Sequence, residues 1–246
     1  MSTKQELREQ IWDRLTEAGA ARFPGARGRI PNFAGAEAAA ARLAGLDVWR
    51  SARVLKCNPD SPQRPVRARA LREGKILYVA VPRLREPHPF LELDPARLRD
   101  ELGDDVGRAA TIEGAARYGR PVAIDEMAPV DLIVSGAVAV TRDGARLGKG
   151  GGYADLEFAL AREAGLVGSD TPVVTTVHPL QIVPGGIPLT RHDVRLDYVV
   201  TPDEVIATHR RGDQPAGIYW DELSQTKIAA IPVLAALQKS GEPPHS

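Results

Sequence analysis

The chain has 246 residues, 43% of them hydrophobic and 26% charged, and its formal net charge is zero. This composition is ordinary for a soluble globular protein, and the length suits one large α/β domain or two small ones. The single cysteine, Cys57, excludes an intrachain disulfide and argues against a cysteine-based metal site. The start Met1–Glu6 is too polar for a secretory signal and no apolar run approaches a membrane span, so we expect a cytoplasmic protein with no membrane partner.

The charge is unevenly distributed along the chain. Residues 1–121 contain 22 Lys and Arg against 16 Asp and Glu, and residues 122–246 contain 10 against 16, so the halves carry +6 and −6. Ten basic and two acidic residues lie within Arg50–Arg85. Such a cluster can attract a polyanion, but it lacks the alternating aromatic residues of a base-stacking platform. We therefore favour a solvated helix face and do not expect a nucleic-acid partner.

The first predicted element is an amphipathic helix over Thr3–Ala18. Thr3 and Glu6 have the spacing of a capping box at its start. Lys4 and Arg8 lie one turn apart on the side opposite the apolar face, where both can reach a common anion. Taken alone, the pair is more simply read as two solvated charges.

Helices and buried strands alternate along the rest of the chain. Further helices are predicted at Gly35–Leu46, Pro65–Glu73, Pro95–Glu101, Thr111–Tyr118 and Tyr153–Ala164. Strands are predicted at Val54–Cys57, Ile76–Val81, Val130–Val140, Pro172–Val177 and Tyr198–Val200. This alternation predicts the α/β class: a single domain over residues 1–240 with an open, mostly parallel sheet and helices on both faces. Residues 241–246 are predicted to form a disordered tail.

Charged side chains follow the predicted strand Ile76–Val81. In open α/β sheets, ligands bind beyond the carboxyl ends of the strands. Arg83, Arg85 and Glu86 come directly after this strand and are therefore candidate site residues.

The most informative stretch is Asp143–Asp155, in which five of the thirteen residues are glycine. It lies between a predicted strand and a predicted helix. Glycine permits positive φ and lets a ligand approach the backbone closely, so successive N–H groups can converge on an anion. The unpaired N–H groups and the positive dipole end of the following helix point to the same place. The stretch therefore predicts a phosphate site whose backbone comes from Gly148, Gly150, Gly151 and Gly152.

Charged side chains within this stretch strengthen the prediction. Arg146 can fork onto phosphate oxygens, Lys149 can supply a point charge, and Asp143 or Asp155 can hold a magnesium ion beside the phosphates. The spacing is neither that of a P-loop nor that of the dinucleotide fingerprint. A flexible surface loop is the alternative, and the cations at the start of a helix make us favour phosphate.

His192 and Asp193 precede the last predicted strand, Tyr198–Val200. A histidine beside an aspartate can be a proton shuttle or part of a metal site. It is more often a turn in which the aspartate caps backbone N–H groups, and we favour that reading from the residues alone.

Thr141–Leu156 resembles the motif Asp-x-x-Gly-x-Arg-Leu-Gly-x-Gly-Gly-Gly-Tyr-Tyr-Asp-Arg of the 5-formyltetrahydrofolate cyclo-ligase family. Pro188–Asp197 resembles a second family feature, Pro-x-x-x-His-Asp-x-x-x-Asp before a strand. The chain is most similar to the methenyltetrahydrofolate synthase domain-containing branch, through Lys56–Pro62, Pro82–Arg85 and Gly148–Glu157.

This resemblance implies a three-layer cyclo-ligase-like sandwich, in a monomer or a homodimer, that uses ATP and Mg²⁺ to convert 5-formyltetrahydrofolate, or a related N-formyl compound, to 5,10-methenyltetrahydrofolate. ATP and a reduced folate are thus the expected ligands. The implied ATP-binding residues are Lys4, Arg8, Arg146, Gly148, Lys149, Gly150, Gly151, Gly152 and Tyr153. The implied catalytic residues are Arg146, Lys149 and Tyr153. The implied substrate-binding residues are Arg83, Glu86 and Tyr153, and the implied magnesium ligands are Asp155 and Asp193.

Two positions depart from the family motif. Ala154 replaces its second tyrosine, and Leu156 replaces its closing arginine. An arginine beside a transferring phosphoryl group can contribute several orders of magnitude in rate. The alternative hypothesis is therefore a non-catalytic nucleotide- or folate-binding homologue, with RNA interaction through Arg50–Arg85 as a third reading.

Overall fold

The computed structural model describes residues 3–210 and 212–240, so the predicted tail 241–246 lies outside the described residues. The strands are β1 (Val54–Cys57), β2 (Ile76–Ala80), β3 (Phe90–Leu93), β4 (Arg120–Val122), β5 (Leu132–Val134), β6 (Ala139–Val140), β7 (Arg146–Leu147), β8 (Val173–Thr176), β9 (Tyr198–Val200) and β10 (Val205–Ala207). The α-helices are α1 (Lys4–Glu17), α2 (Ala36–Leu43), α3 (Asp47–Ser51), α4 (Arg64–Arg72), α5 (Pro95–Leu102), α6 (Ile112–Tyr118), α7 (Tyr153–Glu163), α8 (Gln225–Ala229) and α9 (Pro232–Ser240).

Eight strands form one mixed sheet in the order β10-β9-β8-β5-β1-β2-β3-β4. The five central strands, from β9 to β2, run parallel to one another. Antiparallel pairings add β10 at one edge, and β3 and β4 at the other. The predicted α/β class with a mostly parallel sheet is therefore confirmed. None of the helices within the described ranges is long and apolar enough to cross a membrane.

Alternate residues of the central strands enter different hydrophobic cores. On β2, Leu77 and Val79 pack in a core with α2, α4, α5 and α6, whereas Tyr78 and Ala80 pack in a core with α7, α8 and α9. Successive strand residues point to opposite faces of a sheet, so helices cover both faces. Burial on both faces explains why the central strand β2 is an unbroken apolar run rather than an alternation of polar and apolar residues.

Helix α1 begins with the predicted capping box. The Glu6 N–H donates to the Thr3 hydroxyl at 3.2 Å, and the Thr3 N–H donates to a Glu6 carboxylate oxygen at 2.8 Å. The apolar face of α1, which includes Ile11 and Leu15, packs on the small antiparallel sheet of β6 and β7. The polar side of its first two turns is thereby placed beside the glycine-rich segment that follows β7.

The predicted strand Val130–Val140 is instead two strands, β5 and β6, in different sheets. The chain leaves the main sheet at Gly136, whose N–H donates to the Asn58 side-chain oxygen at 2.9 Å. The next residues pair with β7, where Ala139 is opposite Leu147. A long-range side-chain contact thus ends β5 at a point where the sequence remains apolar.

Candidate functional site

A cleft of about 550 Å³ lies at the carboxyl ends of the central strands. After β1 the chain moves to β2 on one side, and later returns to β5 on the other side of β1. Ligands in open α/β sheets bind at such a switch in strand order. One wall contains Asn58 and Asp60 after β1, Arg83 after β2 and Gly136 after β5. The glycine-rich segment and the first turn of α7 form the opposite wall.

The glycine-rich segment bends sharply before α7. Gly150 and Gly152 have φ values of 109° and 65°, which side-chain-bearing residues rarely adopt. A Cβ at Gly150 would lie 3.5 Å from the guanidinium carbon of Arg8, and one at Gly152 would lie 3.2 Å from Nζ of Lys227. Gly152 immediately precedes the first residue of α7, so the unpaired N–H groups of that helix begin here. The bend therefore offers backbone donors flanked by two cations.

Helix α1 brings Arg8 to this bend and Lys4 to Asp193. Nε of Arg8 donates to the Gly148 carbonyl at 2.8 Å. Nζ of Lys4 binds a carboxylate oxygen of Asp193 at 2.6 Å. Burial lowers the pKa of Arg8, and the nearby Asp193 opposes that effect. Of the two residues proposed from the sequence as anion ligands, Arg8 therefore lies at the glycine-rich segment and Lys4 lies at Asp193, and each already has a protein partner.

Arg146 lies beneath the segment, with only 2% of its side chain exposed. One terminal nitrogen donates to the Gly136 carbonyl at 3.0 Å, and the other donates to Oδ1 of Asp155. Oδ1 of Asp155 also accepts the Val194 N–H at 3.0 Å. Arg146 thereby joins β7 to the end of β5 and to the first turn of α7. The two terminal nitrogens of Arg146 bind Gly136 and Asp155, so the predicted contact with phosphate oxygens would require an exchange of these partners.

Lys149 crosses the mouth of the cleft. Its Nζ binds a carboxylate oxygen of Asp60 at 2.9 Å, and about half of the lysine side chain, 49%, is exposed. The ion pair joins the glycine-rich wall to the loop after β1. Lys149 therefore supplies charge at the solvent side of the cleft, above the buried Arg146.

Asp155 and Asp193 do not form a ready metal cage. Each pairs with a cation, Arg146 and Lys4 respectively. Across residues 3–210 and 212–240, no three His, Cys, Asp or Glu side chains are grouped to hold a metal ion. Both hydrogen bonds of Asp155 use Oδ1, which leaves Oδ2 for another ligand. This donor set fits Mg²⁺, because that ion commonly binds one or two carboxylates together with substrate phosphates.

The electrostatics of Asp193 follow from its contacts. Burial acts to raise its pKa, but hydrogen bonds from Lys4 and from the backbone and hydroxyl of Thr190 outweigh burial and lower it. The turn predicted at His192 and Asp193 is therefore present, with Asp193 accepting the Thr190 N–H. The His192 ring contacts Glu222.

The three predicted substrate residues separate into two groups. Tyr153 and Arg83 line the cleft, whereas Glu86 is exposed and is not one of the residues of its wall. Arg83 and Leu84 have φ values of 59° and 53°, a strained conformation for residues other than glycine. Leu84 is fully buried and anchors this turn. The turn therefore holds Arg83 at the cleft, whereas Glu86 is not part of the wall.

A charged network beneath the cleft was missed from the sequence. Lys56 on β1 forms an ion pair with Glu157 on α7, and the Asn58 amide donates to the same Glu157 oxygen at 2.8 Å. The Asn58 side-chain oxygen accepts from the Ser135 hydroxyl at 3.1 Å. Burial raises the pKa of Glu157, and Lys56 opposes this rise. The available signal was a lysine inside an apolar strand and a glutamate on the apolar face of a helix.

The basic cluster Arg50–Arg85 is not one solvated surface. Arg67 is buried, and its guanidinium donates to the carbonyls of Asn58, Asp60 and Ala110. Lys56 and Lys75 are also buried, and Lys75 donates to two backbone carbonyls. The solvated-face interpretation is therefore wrong for these residues, because they support the interior rather than attract a polyanion.

A family model described as the 5-formyltetrahydrofolate cyclo-ligase family matches residues 1–202. The chain belongs to this family. The resemblance recognised in the sequence is thus confirmed, and the match includes both the glycine-rich segment and the turn at Asp193.

Curated relatives place the chain beside one branch of the cyclo-ligase family. Methenyltetrahydrofolate synthase domain-containing proteins of Bos taurus and Mus musculus are 41% and 42% identical over 98% and 96% of this chain. The chain spans 63% of the length of each. A mitochondrial 5-formyltetrahydrofolate cyclo-ligase of Arabidopsis thaliana is 36% identical over 32% of the chain and 29% of its own length.

A solved structure shows the same fold. The NMR structure of Aquifex aeolicus 5,10-methenyltetrahydrofolate synthetase aligns with a TM-score of 0.53 over 89% of this chain and 99% of that chain. The two sequences are 20% identical over that alignment. The cyclo-ligase-like architecture expected from the sequence is therefore confirmed as a fold.

The structure places one further cationic residue, which the sequence did not indicate, beside the glycine-rich segment. Nζ of Lys227, on α8, donates to the Gly151 carbonyl at 3.2 Å. Leu156, which stands where the family motif has its closing arginine, is 6% exposed and packs in the hydrophobic core. Lys227 could not be recognised from the sequence, because it lies 76 positions from Gly151.

Proposed function

We propose that the chain is an ATP- and Mg²⁺-dependent cyclo-ligase that converts 5-formyltetrahydrofolate, or a related N-formyl compound, to the 5,10-methenyl product. One observation carries the proposal: cations from α1 and α8 meet the glycine bend at the start of α7. That bend forms one wall of the cleft at the switch in strand order. Backbone donors, cations and an adjoining cleft are what a nucleotide next to a second substrate requires.

The chemistry explains why such a site suffices. A formyl oxygen is a poor leaving group, so it first attacks the γ-phosphate of ATP and releases ADP. The neighbouring secondary amine nitrogen, which lies outside the pterin ring, then attacks the activated carbon, forms the new C–N bond and loses its proton as phosphate leaves. The protein has to place the formyl oxygen in line and to stabilise negative charge on the phosphate. When bound, Mg²⁺ would neutralise part of the phosphate charge.

The contacts suggest distinct roles for the residues of the site. Arg8 and Lys4 provide positive charge at the bend after exchanging protein oxygens for phosphate oxygens. Lys149 provides charge at the mouth of the cleft. Arg146 acts on Asp155, which it orients at the start of α7, where the carboxylate can meet a nucleotide-borne magnesium ion. These contacts recast Arg146 as a residue that shapes the site rather than one that binds phosphate.

The folate is proposed to occupy the part of the cleft between the turn after β2 and the start of α7. Tyr153 and Arg83 line this part from opposite walls. A cleft of about 550 Å³ is within the range of pockets that hold small-molecule ligands. Glu86 has no role in this proposal, because it is not one of the residues that line the cleft.

The decisive experiment incubates purified protein with 5-formyltetrahydrofolate, Mg²⁺ and ATP. We expect folate-dependent release of ADP and a matching rise in methenyl absorbance. Arg8→Gln should weaken ATP binding by about tenfold, as expected for loss of a charged hydrogen bond. Arg14→Gln is the matched control, because Arg14 lies on the same helix but donates to the Leu180 carbonyl, away from the cleft. Absence of both ADP and product would refute the proposed reaction for this substrate.

A non-catalytic binding protein is the second candidate, favoured by the burial of Leu156 in place of the closing arginine of the motif. It predicts stabilisation by ATP without product. Ligand at a hundredfold excess over Kd adds about 2.7 kcal/mol of stability, or roughly 5 to 11 °C in Tm for a protein of this size. A thermal-shift measurement in parallel with the turnover assay therefore separates binding from catalysis.

A further inference from the structure

The ammonium of Lys227 occupies a position where a phosphate oxygen would be a better partner than its present one. Nζ donates to the Gly151 carbonyl at 3.2 Å and lies 5.4 Å from the centre of the Tyr153 ring. No carboxylate within the described ranges forms a salt bridge with it. A partly buried ammonium can donate three hydrogen bonds, and its one polar contact here is a neutral carbonyl. An anion at the bend would compensate its desolvation.

Lys227 and Arg8 lie on two sides of the same bend. Arg8 lies against Gly150, and Lys227 lies against Gly152, which immediately precedes α7. The unpaired backbone N–H groups at the start of α7 begin at this bend, which both cations contact. A phosphate that accepts from these N–H groups would have positive charge on both sides.

The rest of its segment holds Lys227 in this position. Ile228 is 2% exposed and anchors α8 in the core, and the Ser224 hydroxyl caps the helix by accepting the Lys227 N–H at 3.2 Å. Arg191 pairs with Asp221 and Glu222 in the preceding turn. The placement of Lys227 at the bend is thus fixed by packing, by a cap and by ion pairs.

The open space around the bend is also accessible from the side on which α8 lies. A cavity of about 230 Å³ separates α7 from the segment that carries α8, and its wall includes Gly152, Asp155 and Lys227. Gly152 and Asp155 also belong to the wall of the main cleft. A ligand group at the start of α7 can therefore contact Lys227 without displacing the helix core.

We propose that Lys227 is a phosphate-binding residue that completes the anion site from a segment beyond residue 202, where the family match ends. The inference rests on the proposed function, because it assigns a further ligand to the same nucleotide. It also accounts for the departure at Leu156: the side chain there is apolar and buried, and positive charge reaches the start of α7 from Lys227 instead.

The test compares Lys227→Met with Lys227→Arg and with Lys239→Met, an exposed lysine on α9 that serves as the matched control. Isothermal titration with ATP, ADP, adenosine and tripolyphosphate separates phosphate binding from base binding. We expect Lys227→Met to weaken ATP and tripolyphosphate binding by about ten- to a hundredfold, as for other charged hydrogen bonds, and to leave adenosine unchanged. Lys227→Arg should recover most of the affinity, and the salt dependence of ATP binding should decrease in Lys227→Met.

The outcomes distinguish this inference from the proposed function. Wild-type protein that binds neither ATP nor tripolyphosphate overturns both. Wild-type protein that binds them, with Lys227→Met within twofold of the same affinity, overturns the role of Lys227 alone. Tm without ligand reports whether each variant is folded. A loss of affinity that Lys227→Arg does not recover, together with a lowered ligand-free Tm, would show a structural role and would also overturn the inference.

Discussion

Replacing Lys56 by methionine should destabilise the protein strongly, because Lys56 is remote from solvent. Lys56 is not a predicted ligand, so the expected effect is on folding. The side chains of Lys56 and Glu157 are 2% and 7% exposed. Removing one partner of a buried ion pair costs about 3 to 5 kcal/mol, because it leaves an uncompensated buried charge. Glu157 retains its hydrogen bond from Asn58, which favours the lower end of that range. In a protein of this size the loss corresponds to a decrease in Tm of roughly 6 to 20 °C.

The same variant should acquire a distinctive pH dependence. Burial already raises the pKa of Glu157 above its ordinary value of 4.5, and removing Lys56 removes the effect that opposes this rise. A carboxyl group with a raised pKa in the folded state contributes stability that is fully present below its unfolded pKa. That stability is lost as the pH rises through the folded pKa. The variant should therefore lose stability from about pH 5 upwards, by about 1.4 kcal/mol for each further unit of pKa shift.

Urea unfolding between pH 5 and pH 8 measures both effects. The double variant Lys56→Met/Glu157→Gln removes both charges and should be markedly more stable than the sum of the single effects predicts. Arg142→Met is the matched control: its exposed ion pair with Glu204 should contribute less than about 1 kcal/mol. A Lys56→Met protein within 1 kcal/mol of wild type at pH 8, with a flat pH profile, would refute the argument.

Three further predictions follow from local geometry. Gly144→Ala should lower the free energy of unfolding more than Gly74→Ala: both glycines have positive φ, which costs about 1–2 kcal/mol, but only at Gly144 would the Cβ meet a backbone carbonyl, at 2.4 Å. The thiol of Cys57, whose pKa burial raises to about 11, should react with a disulfide reagent only after urea unfolding, and rapid labelling of native protein would contradict its burial. Asp193→Asn should flatten the acid side of the stability profile. Its lowered pKa means that its contribution is present above the ordinary value of 3.8 and is lost as the pH falls through the folded pKa, so an unchanged acid limb would disprove the role of its bond to Lys4.

The central parallel strands and the two helices of the site could be predicted because their signals are local. An unbroken apolar run specifies a buried strand such as β2, and the capping box at Thr3 marks the start of α1. The edge strands could not be predicted in the same way. Strand β4 is Arg120–Val122, which contains a proline and one fully buried residue, and it exists because β3 offers an antiparallel partner. Its stability lies in pairing rather than in its own residues.

The same distinction between local and long-range signals applies to the residues of the site. The glycine-rich segment could be recognised because the glycines that give it conformational freedom lie close together in the sequence. Lys4 and Arg8 could be named as candidates from their helix, but the contact of Lys4 with Asp193 across 189 positions could not be deduced, and neither could the contact of Lys227 with Gly151 across 76. A buried charge is equally hard to foresee: Lys56 and Arg67 look like surface residues until the fold supplies Glu157 and the backbone carbonyls that compensate them.

The side chain of Asn58 has a consequence for how the protein adapts to a ligand. One amide group fastens the ends of β1 and β5 to each other and to α7 through Glu157. This part of the cleft is therefore expected to be rigid, because tilting α7 would break the hydrogen bond between Asn58 and Glu157 together with the adjacent ion pair between Lys56 and Glu157. Adjustment to a bound molecule is then expected from the more exposed side chains, such as Lys149, which is half exposed at the mouth of the cleft.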